Sequence, residues 1–174
     1  MGVSTPYEGQ PHTGWDPQLP IPAPLRLHSC TVVPAWVDYN DHMTESAYLL
    51  VFGDNSDAFF RYFGIDEAYR EAGHSLFTVE THLRNLVEAD LGESLSVAMW
   101  VIGVDHKRVH IAHEMFRGSD DRLIATAEQL LVHVDMNAGR SAPIPEVLRE
   151  RLDAIAEVHA QFPRPDWIGR SIGL

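Results

Sequence analysis

The sequence predicts an α+β fold in which a curved antiparallel β-sheet wraps around one long, buried helix. Residues 44–63 are apolar on nearly every helical face, which is typical of a helix in the middle of a fold. From Ser75 onward, apolar residues instead alternate with polar ones through four segments that turn-forming residues separate. We expect these segments to form consecutive antiparallel strands, paired as a meander.

The chain before the helix is predicted to contain an arm and a short strand. Residues 1–24 carry six prolines and three glycines among polar residues, a composition that sustains no helical or strand pattern. We therefore expect a flexible N-terminal arm over 1–24, in which Trp15 could contact a partner subunit, and a single domain over 25–174. Residues 30–37 predict an edge strand, because Pro34 has no N–H to donate within a sheet.

The remaining elements are predicted from the periodicity of apolar residues and from glycine and proline residues at element boundaries. Gly64 is expected to end the long helix, and residues 66–72 predict a short second helix that ends before Gly73. The alternating segments predict strands over about 75–87, 94–102, 108–117 and 122–136. A last amphipathic helix is predicted over about 145–160, with Pro145 in its first turn. Its apolar stripe comprises Val147, Leu148, Leu152, Ile155 and Val158.

Composition restricts the classes of function. The 13 basic and 25 acidic residues give a formal charge of −12, which argues against unaided binding to nucleic acid or to an anionic membrane. A local cluster of basic residues could still hold an anionic ligand. The single Cys30 excludes an intrachain disulfide and a zinc site built from paired thiolates. Because neither a signal-peptide pattern nor a membrane-length apolar run is present, we expect a cytoplasmic protein.

The segment that leads into the long helix carries the strongest functional signal. Residues 38–43 read Asp-Tyr-Asn-Asp-His-Met, and the helix pattern begins at Thr44. The first N–H groups of a helix are unpaired and carry a partial positive charge. A carboxylate beside such donors suits acyl transfer, because Asp38 could act as nucleophile or base while the N–H groups hold the oxyanion. Alternatively, Asp38, Asn40 and Asp41 only form a turn and cap the helix.

The order of elements, with Asp38 four residues before His42, resembles that of hotdog-fold thioesterases of the 4-hydroxybenzoyl-CoA thioesterase class. This resemblance covers roughly residues 28–150. A closer resemblance is to the betainyl-CoA thioesterases of carnitine breakdown, which occur alone or fused to L-carnitine dehydrogenase. It is carried by residues 37–40, 42–46, 51–54, 73–75, 78–82, 127–129 and 133–135. In that subgroup, glycine stands where this chain has Asp41.

The resemblance implies a hotdog fold and a cofactor-free thioesterase that hydrolyses betainyl-CoA to glycine betaine and CoA. It assigns catalysis to Asp38, with His42 and Asn40 as further catalytic candidates. The N–H groups of residues 44–46 would form the oxyanion hole. It also implies a homodimer or homotetramer whose active site lies at the subunit interface. Whether Asp38 attacks directly or activates water stays open at this point.

Substrate chemistry suggests further residues. Proteins hold trimethylammonium groups with aromatic faces and a nearby carboxylate. The candidate aromatic residues are Trp36, Tyr39, Tyr48, Phe77 and Trp100, with Glu45 or Glu80 as the counter-charge. The candidate phosphate ligands for CoA are Lys107 and Arg108, followed by Arg84, Arg117 and Arg140. Each of these residues has a structural alternative, as a core aromatic or a solvated surface charge.

Two alternatives concern the reaction. The protein could hydrolyse an aromatic or medium-chain acyl-CoA instead. It could also be a hotdog protein that binds acyl thioesters without hydrolysing them. A metal site is not expected, because His110 and His113 would point to opposite faces of one strand.

Overall fold

The computed structural model describes residues 5–173, and its centre is an antiparallel sheet that curves around α1. The elements are β1 (Leu25–Thr31), α1 (Glu45–Phe63), α2 (Glu67–Glu71), β2 (His74–Asn85), β3 (Ser94–Val104), β4 (Arg108–Arg117), β5 (Arg122–Asp135), β6 (Arg140–Ser141) and α3 (Glu146–His159). The strand order is β1-β3-β4-β5-β2, and β6 pairs with β5. The predicted α+β architecture of a curved sheet around a long helix is confirmed.

The predicted meander is only partly correct. Strands β3, β4 and β5 pair successively, but β2 pairs with β5 rather than with β3. The connection between β2 and β3 crosses the end of the sheet instead of making a hairpin. At its start Leu86 N–H donates to the carbonyl of Ile124 at 2.8 Å, and near its end Gly92 N–H donates to the carbonyl of Val32 at 2.9 Å. Strand β2 therefore lies at the edge of the sheet. The sequence did not predict this, because the alternation of apolar and polar residues specifies the two faces of a strand but not its neighbour.

The first strand was placed too late in the sequence. β1 ends at Thr31, and residues 34–36, expected in the strand, form a short 3-10 turn instead. Pro34 begins that turn, where its missing N–H costs no hydrogen bond. The chain thereby leaves the sheet and approaches the start of α1, since Thr44 N–H donates to the carbonyl of Trp36 at 2.8 Å.

Helix α1 is buried as predicted, but its buried surface is not entirely apolar. Val51, Phe52 and Phe59 are fully enclosed, and Gly64 ends the helix with φ +119°, as expected. A side chain at Gly64 would collide with the guanidinium of Arg151. The helix also buries Arg61 in its last turn and four polar or acidic residues in its middle, namely Asp54, Asn55, Ser56 and Asp57. The four residues in the middle lie between two apolar clusters, one at each end of α1.

The C-terminal elements pack against the sheet. Helix α3 buries Leu148, Leu152 and Ile155, whereas Val147, predicted in the same stripe, is exposed. One residue corresponds to about 100° of helical rotation, which turns Val147 away from the sheet when Leu148 faces it. After α3, Gly169 N–H donates to Glu128 on β5 at 2.7 Å. No helix within residues 5–173 combines the length and apolar character needed to span a bilayer.

The N-terminal arm contacts the domain over its described part, residues 5–24. Thr5 Oγ1 donates to Asp57 Oδ2 at 2.5 Å, and the Tyr7 hydroxyl lies 2.6 Å from His28 Nδ1. Trp15 packs edge-on against Tyr62 of α1. Residues 1–4 and 174 lie outside the described residues. The flexibility of the arm and the domain boundary at residue 25 stay predictions.

Candidate functional site

Residues 38–43 form a closed turn at the start of α1. Asp38 N–H donates to the carbonyl of His42 at 3.0 Å, and Asp41 N–H donates to the carbonyl of Asp38 at 3.1 Å. Asp41 adopts φ +64°, a left-handed conformation that glycine adopts freely and that aspartate tolerates better than most residues. Position 41, where the subgroup that this chain resembles has glycine, therefore has a backbone conformation that suits glycine.

The turn orients the Asp38 carboxylate. Asn40 donates its backbone N–H to Asp38 Oδ1 at 2.8 Å and its side-chain amide to Asp38 Oδ2 at 3.3 Å. Asp38 is half-buried, whereas Asn40 is exposed. Because a carboxylate can accept about four hydrogen bonds, Asp38 keeps acceptor capacity for water or a substrate group. Asn40 thus contacts Asp38 directly, as a positioning role requires.

The start of α1 supplies fewer free donors than expected. The N-cap is Thr44, whose side chain makes no capping hydrogen bond and instead lies 3.2 Å from Ser46 Oγ. Asp41, the alternative cap, lies three residues before it. Thr44 N–H is already bonded to Trp36, so it does not contribute to an oxyanion hole. The N–H groups of Glu45 and Ser46, in the first turn of α1, remain as donors for an oxyanion hole. Helix geometry directs both groups outward from the N-terminus of the helix.

His42 faces other carboxylates rather than that of Asp38. Its Nε2 lies 3.6 Å from Asp90 and 4.0 Å from Glu88, and its side chain is 39% exposed. Its link to Asp38 runs through its backbone carbonyl. A catalytic role for His42 stays a prediction.

A cavity of about 450 Å³ adjoins the start of α1. It is lined by Met43, Glu45, Tyr48, Asn85, Leu86, Val87, Glu88 and Arg122. Glu88 and Arg122 were not candidates from the sequence, because they come from the segment after β2 and the start of β5. Only the pairing of those strands, and the 2.8 Å hydrogen bond from Met43 N–H to the carbonyl of Ala89, bring them to α1. The sequence could have suggested these two residues only through their position next to predicted strand ends, where binding residues concentrate.

The predicted aromatic residues do not meet in one place. Tyr48 is buried beside Glu45 and donates to the carbonyl of Val87 at 3.3 Å. Tyr39 is 93% exposed in the turn. Trp100 donates to Glu114 and packs against His159, and Phe77 lies on the edge strand β2. Trp36 lines a different cavity. Within one chain, Tyr48 is therefore the aromatic candidate that shares a cavity with Glu45.

Glu80 lies on the opposite face of the sheet from α1. Its cross-strand neighbour is Leu130, whereas the next residue, Gln129, turns inward and accepts a hydrogen bond from Ser56 of α1 at 3.4 Å. Glu80 lines an outer cavity of about 380 Å³ together with His82, His110, Glu128 and Arg170. Glu45 and Glu80 thus do not share a site in one chain.

Lys107 lies in the turn between β3 and β4, and Arg108 begins β4, so both are at the far end of the sheet from Asp38. The 11 residues of β3 separate the two ends by about 35 Å. Arg108 Nε donates to Asp105 at 2.7 Å, and Lys107 Nζ lies 3.4 Å from Ser141 Oγ. These two residues do not reach the Asp38 turn of their own chain.

The histidines of β4 do point to opposite faces. His110 lies 2.7 Å from Glu128 on the outer face, whereas His113 is buried and lies 3.1 Å from Gln129 on the inner face. Burial lowers the pKa of His113 to about 4, so its ring is neutral near pH 7. Within residues 5–173, no group of three or more His, Cys, Asp or Glu side chains is arranged to hold a metal ion.

Comparison with known proteins identifies the family. The model of the thioesterase-like superfamily matches residues 32–152. The chain is 48% identical over 155 residues to an L-carnitine dehydrogenase/betainyl-CoA thioesterase of Rhizobium meliloti (strain 1021), covering 89% of this chain and 31% of that protein. It is 41% identical over 151 residues to a betainyl-CoA thioesterase of Pseudomonas aeruginosa (strain PAO1), covering 86% of this chain and 95% of that protein.

A solved structure agrees with the family match. The crystal structure of a thioesterase candidate from Pseudomonas putida KT2440 superposes with a TM-score of 0.77 at 35% identity, covering 87% of this chain and 97% of that one. The hotdog fold is thereby confirmed. This chain spans about a third of the length of the Rhizobium relative and nearly all of the Pseudomonas aeruginosa one. The matched range contains the Asp38 turn, α1 and strands β2 to β6, and the chain belongs to the thioesterase-like superfamily.

Proposed function

We propose that the protein is a thioester hydrolase that converts betainyl-CoA into glycine betaine and CoA. The observation that carries the proposal is the Asp38 carboxylate, held by Asn40 beside the uncapped start of α1. The relatives whose names include betainyl-CoA thioesterase, at 41% and 48% identity, support this choice of substrate.

In the proposed reaction, the Asp38 carboxylate removes a proton from water as the water oxygen adds to the thioester carbonyl carbon. The N–H groups of Glu45 and Ser46 stabilise the negative charge that develops on the carbonyl oxygen. The tetrahedral intermediate then collapses, the carbon–sulfur bond breaks, and the leaving thiolate takes up the proton from Asp38. Direct attack by Asp38, with an anhydride that water then hydrolyses, gives the same products. Neither route needs a cofactor.

The acyl group is proposed to bind in the cavity beside Glu45. A single methylene separates the trimethylammonium of betainyl-CoA from its carbonyl carbon, so the cation must lie within a few ångströms of the oxyanion hole. Glu45 and Glu88 supply carboxylates there, and Tyr48 supplies an aromatic ring. Arg122 lines the same cavity and is a candidate for contacting a CoA phosphate.

The test compares betainyl-CoA with its neutral isostere, 3,3-dimethylbutanoyl-CoA, in a thiol-release assay. We expect kcat/KM to favour betainyl-CoA by about 100-fold, because only the cation gains from Glu45 and Glu88. Asp38→Asn should lower kcat by about 1000-fold. A preference for the neutral isostere or for longer acyl chains would contradict the substrate, and an unchanged rate in Asp38→Asn would contradict the mechanism. Tight binding without turnover would instead indicate the non-catalytic alternative.

We further propose that the chain forms a homodimer through the free edge of β2. This edge strand of 12 residues exposes Phe77 and Val79, and exposed apolar edges are typically covered by another chain. A groove lined by Leu49, Gly53 and Thr81 opens along the same edge. Antiparallel pairing of two β2 strands would reverse one sheet relative to the other. The partner's β3–β4 turn would then lie at the same end as Asp38, which makes Lys107 and Arg108 candidate CoA ligands across the interface.

The proposed location is the cytoplasm. Cys30 is a free thiol, which suits a reducing compartment.

A further inference from the structure

A separate cavity of about 360 Å³ lies between the N-terminal arm, β1 and α1. It shares no lining residue with the cavity beside Glu45. Its lining residues are Pro6, His28, Ser29, Cys30, Trp36, Leu50 and Asp54. The arm therefore forms one wall of this cavity. Different faces of α1 line the two cavities.

The Asp54 carboxylate is the distinctive group in this cavity. Asp54 is 8% exposed and makes no hydrogen bond or ion pair with any other residue in the range 5–173. Within residues 5–173, the fully enclosed side-chain atoms without a partner are His28 Nε2, Asn55 Oδ1, His74 Nδ1 and Thr126 Oγ1. Because the oxygens of Asp54 are not among them, they reach open space, and the cavity is the open space that Asp54 lines. An unpaired carboxylate at this depth costs free energy that a bound cation would remove.

Among the described residues that line the cavity, none carries a charge opposite to that of Asp54. Burial, followed by the charge of Asp54, raises the pKa of Cys30 to about 11, and burial above all raises that of Tyr7 to about 12, so both are neutral near pH 7. Burial lowers the pKa of His28, so its ring is neutral as well. Trp36 and Leu50 add aromatic and aliphatic surface. A carboxylate and an indole that line the same cavity suit a cation with apolar faces. Within residues 5–173, no group of three or more His, Cys, Asp or Glu side chains is arranged there to hold a metal ion.

The position of Asp54 separates this cavity from the proposed acyl site. Asp54 follows the N-cap Thr44 by ten residues, which is about 15 Å along α1. In betainyl-CoA, the cation and the carbonyl carbon are separated by one methylene. A thioester whose carbonyl lies at the start of α1 therefore cannot place its trimethylammonium beside Asp54.

We propose that Asp54 and Trp36 form a second binding site, which takes a small methylated ammonium cation. The bound cation neutralises Asp54 and joins the arm, through Pro6, to α1. A zwitterion such as glycine betaine binds more weakly, because its carboxylate meets no positively charged side chain among the described lining residues. The site does not depend on the thioesterase activity proposed above.

The test is calorimetric titration of the full chain with tetramethylammonium, choline and glycine betaine. We expect tetramethylammonium and choline to bind in the millimolar range, and glycine betaine at least about tenfold more weakly. Asp54→Asn and Trp36→Leu should each weaken tetramethylammonium binding by about tenfold or more. Asp54→Asn keeps the size of the side chain and removes a buried charge, so it is expected to fold, and circular dichroism checks this.

Glu45→Gln is the matched control, because it removes a carboxylate from the proposed acyl site and leaves Asp54 intact. Binding that survives Glu45→Gln and is lost in Asp54→Asn supports the second site. Binding that is lost in Glu45→Gln and survives in Asp54→Asn would overturn it, since the cation would then occupy the acyl cavity. Absence of binding up to about 50 mM tetramethylammonium would overturn it as well.

Discussion

At the scale of single residues, two aspartates near α1 show how surroundings decide a role. Asp38 accepts hydrogen bonds from Asn40 and stays half-exposed beside the helix start. Asp54 is buried and accepts none from residues 5–173. Burial, together with the negative charge of Asp57, raises the pKa of Asp54 to about 6. The first arrangement suits chemistry on a substrate, and the second suits capture of a cation.

The raised pKa of Asp54 predicts a pH-dependent loss of stability. Its folded pKa of about 6 lies above the 3.8 of an ordinary aspartate, so the folded state holds this proton more tightly than the unfolded state does. The resulting stabilisation is fully present below pH 3.8 and is lost as pH rises through about 6. Above pH 6, Asp54→Asn should therefore be more stable than wild type by about 2 kcal/mol.

The measurement is urea denaturation of both proteins from pH 4 to pH 8, within the range over which the wild type unfolds reversibly. The difference in free energy of unfolding should grow between about pH 4 and pH 6 and then stay constant. Asp153→Asn, which alters an exposed partner of Arg149, serves as the control and should show no such trend. A constant difference at every pH would show that Asp54 does not titrate as expected.

Some of the site residues could be predicted from the sequence, and others could not. Asp38 was identifiable because its turn leads directly into a helix, which is a local relation. Asp54 was not, because the helix pattern shows only that its position lies on α1. Its burial depends on β1 and on the arm, which are distant in the sequence. Glu88 and Arg122 were missed for the same reason.

At the scale of elements, α1 combines an apolar helix with a buried charge cluster. Arg61 is 1% exposed and bonds Asp57 at 3.2 Å, Glu67 at 2.5 Å and Glu8 of the arm at 3.3 Å. Asp57 is itself 7% exposed. The cluster ties α1 to α2 and to the arm. Arg61 and Asp57 have little access to water, whereas Glu67 and Glu8 are more exposed.

We predict that Arg61→Met lowers the free energy of unfolding by about 3 kcal/mol, because it removes a buried partner from the buried carboxylate of Asp57. Urea denaturation at pH 7 measures the change. Arg149→Met is the matched control. It breaks an exposed pair with Asp153 on α3 and should cost less than about 1 kcal/mol. Equal losses in the two variants would show that burial does not strengthen the Arg61 cluster.

Periodicity identified most elements but not all of their partners. The bounds of α1, α2, α3 and of strands β2 to β5 agree with the predicted ranges to within about two residues. Strand β1 was misplaced because Pro34 suits either an edge strand or a short turn. The pairing of β2 with β5 was missed because a connection that crosses the sheet leaves no periodic signal.

At the scale of the whole molecule, the free edge of β2 predicts self-association. Val79 lies at a bulge in this edge and is 58% exposed. We predict that Val79→Lys converts the homodimer into a monomer, because a charge on an edge strand opposes pairing with another strand. It should also lower thioesterase activity by about tenfold or more, if residues of the partner subunit complete the site.

Analytical ultracentrifugation at micromolar concentration measures the association state. Val147→Lys on α3 is the matched control, since it makes the same substitution at a valine that is 59% exposed on another surface. It should leave the dimer intact. A wild-type monomer, or a dimer that persists in Val79→Lys, would contradict the β2 interface. A monomeric Val79→Lys with full activity would contradict completion of the site by the partner.

The sequence by itself determined the architecture, the family resemblance and the position of Asp38, because helix and strand periodicity, turns and helix starts are local properties. Only the tertiary structure decided which residues surround each site. The cavity with Glu88 and Arg122, and the cavity that Asp54 shares with Trp36, both depend on contacts between distant segments. Such contacts depend on strand order and on the path of the arm. The alternation of apolar and polar residues encodes which face of an element is buried, but not what it is buried against.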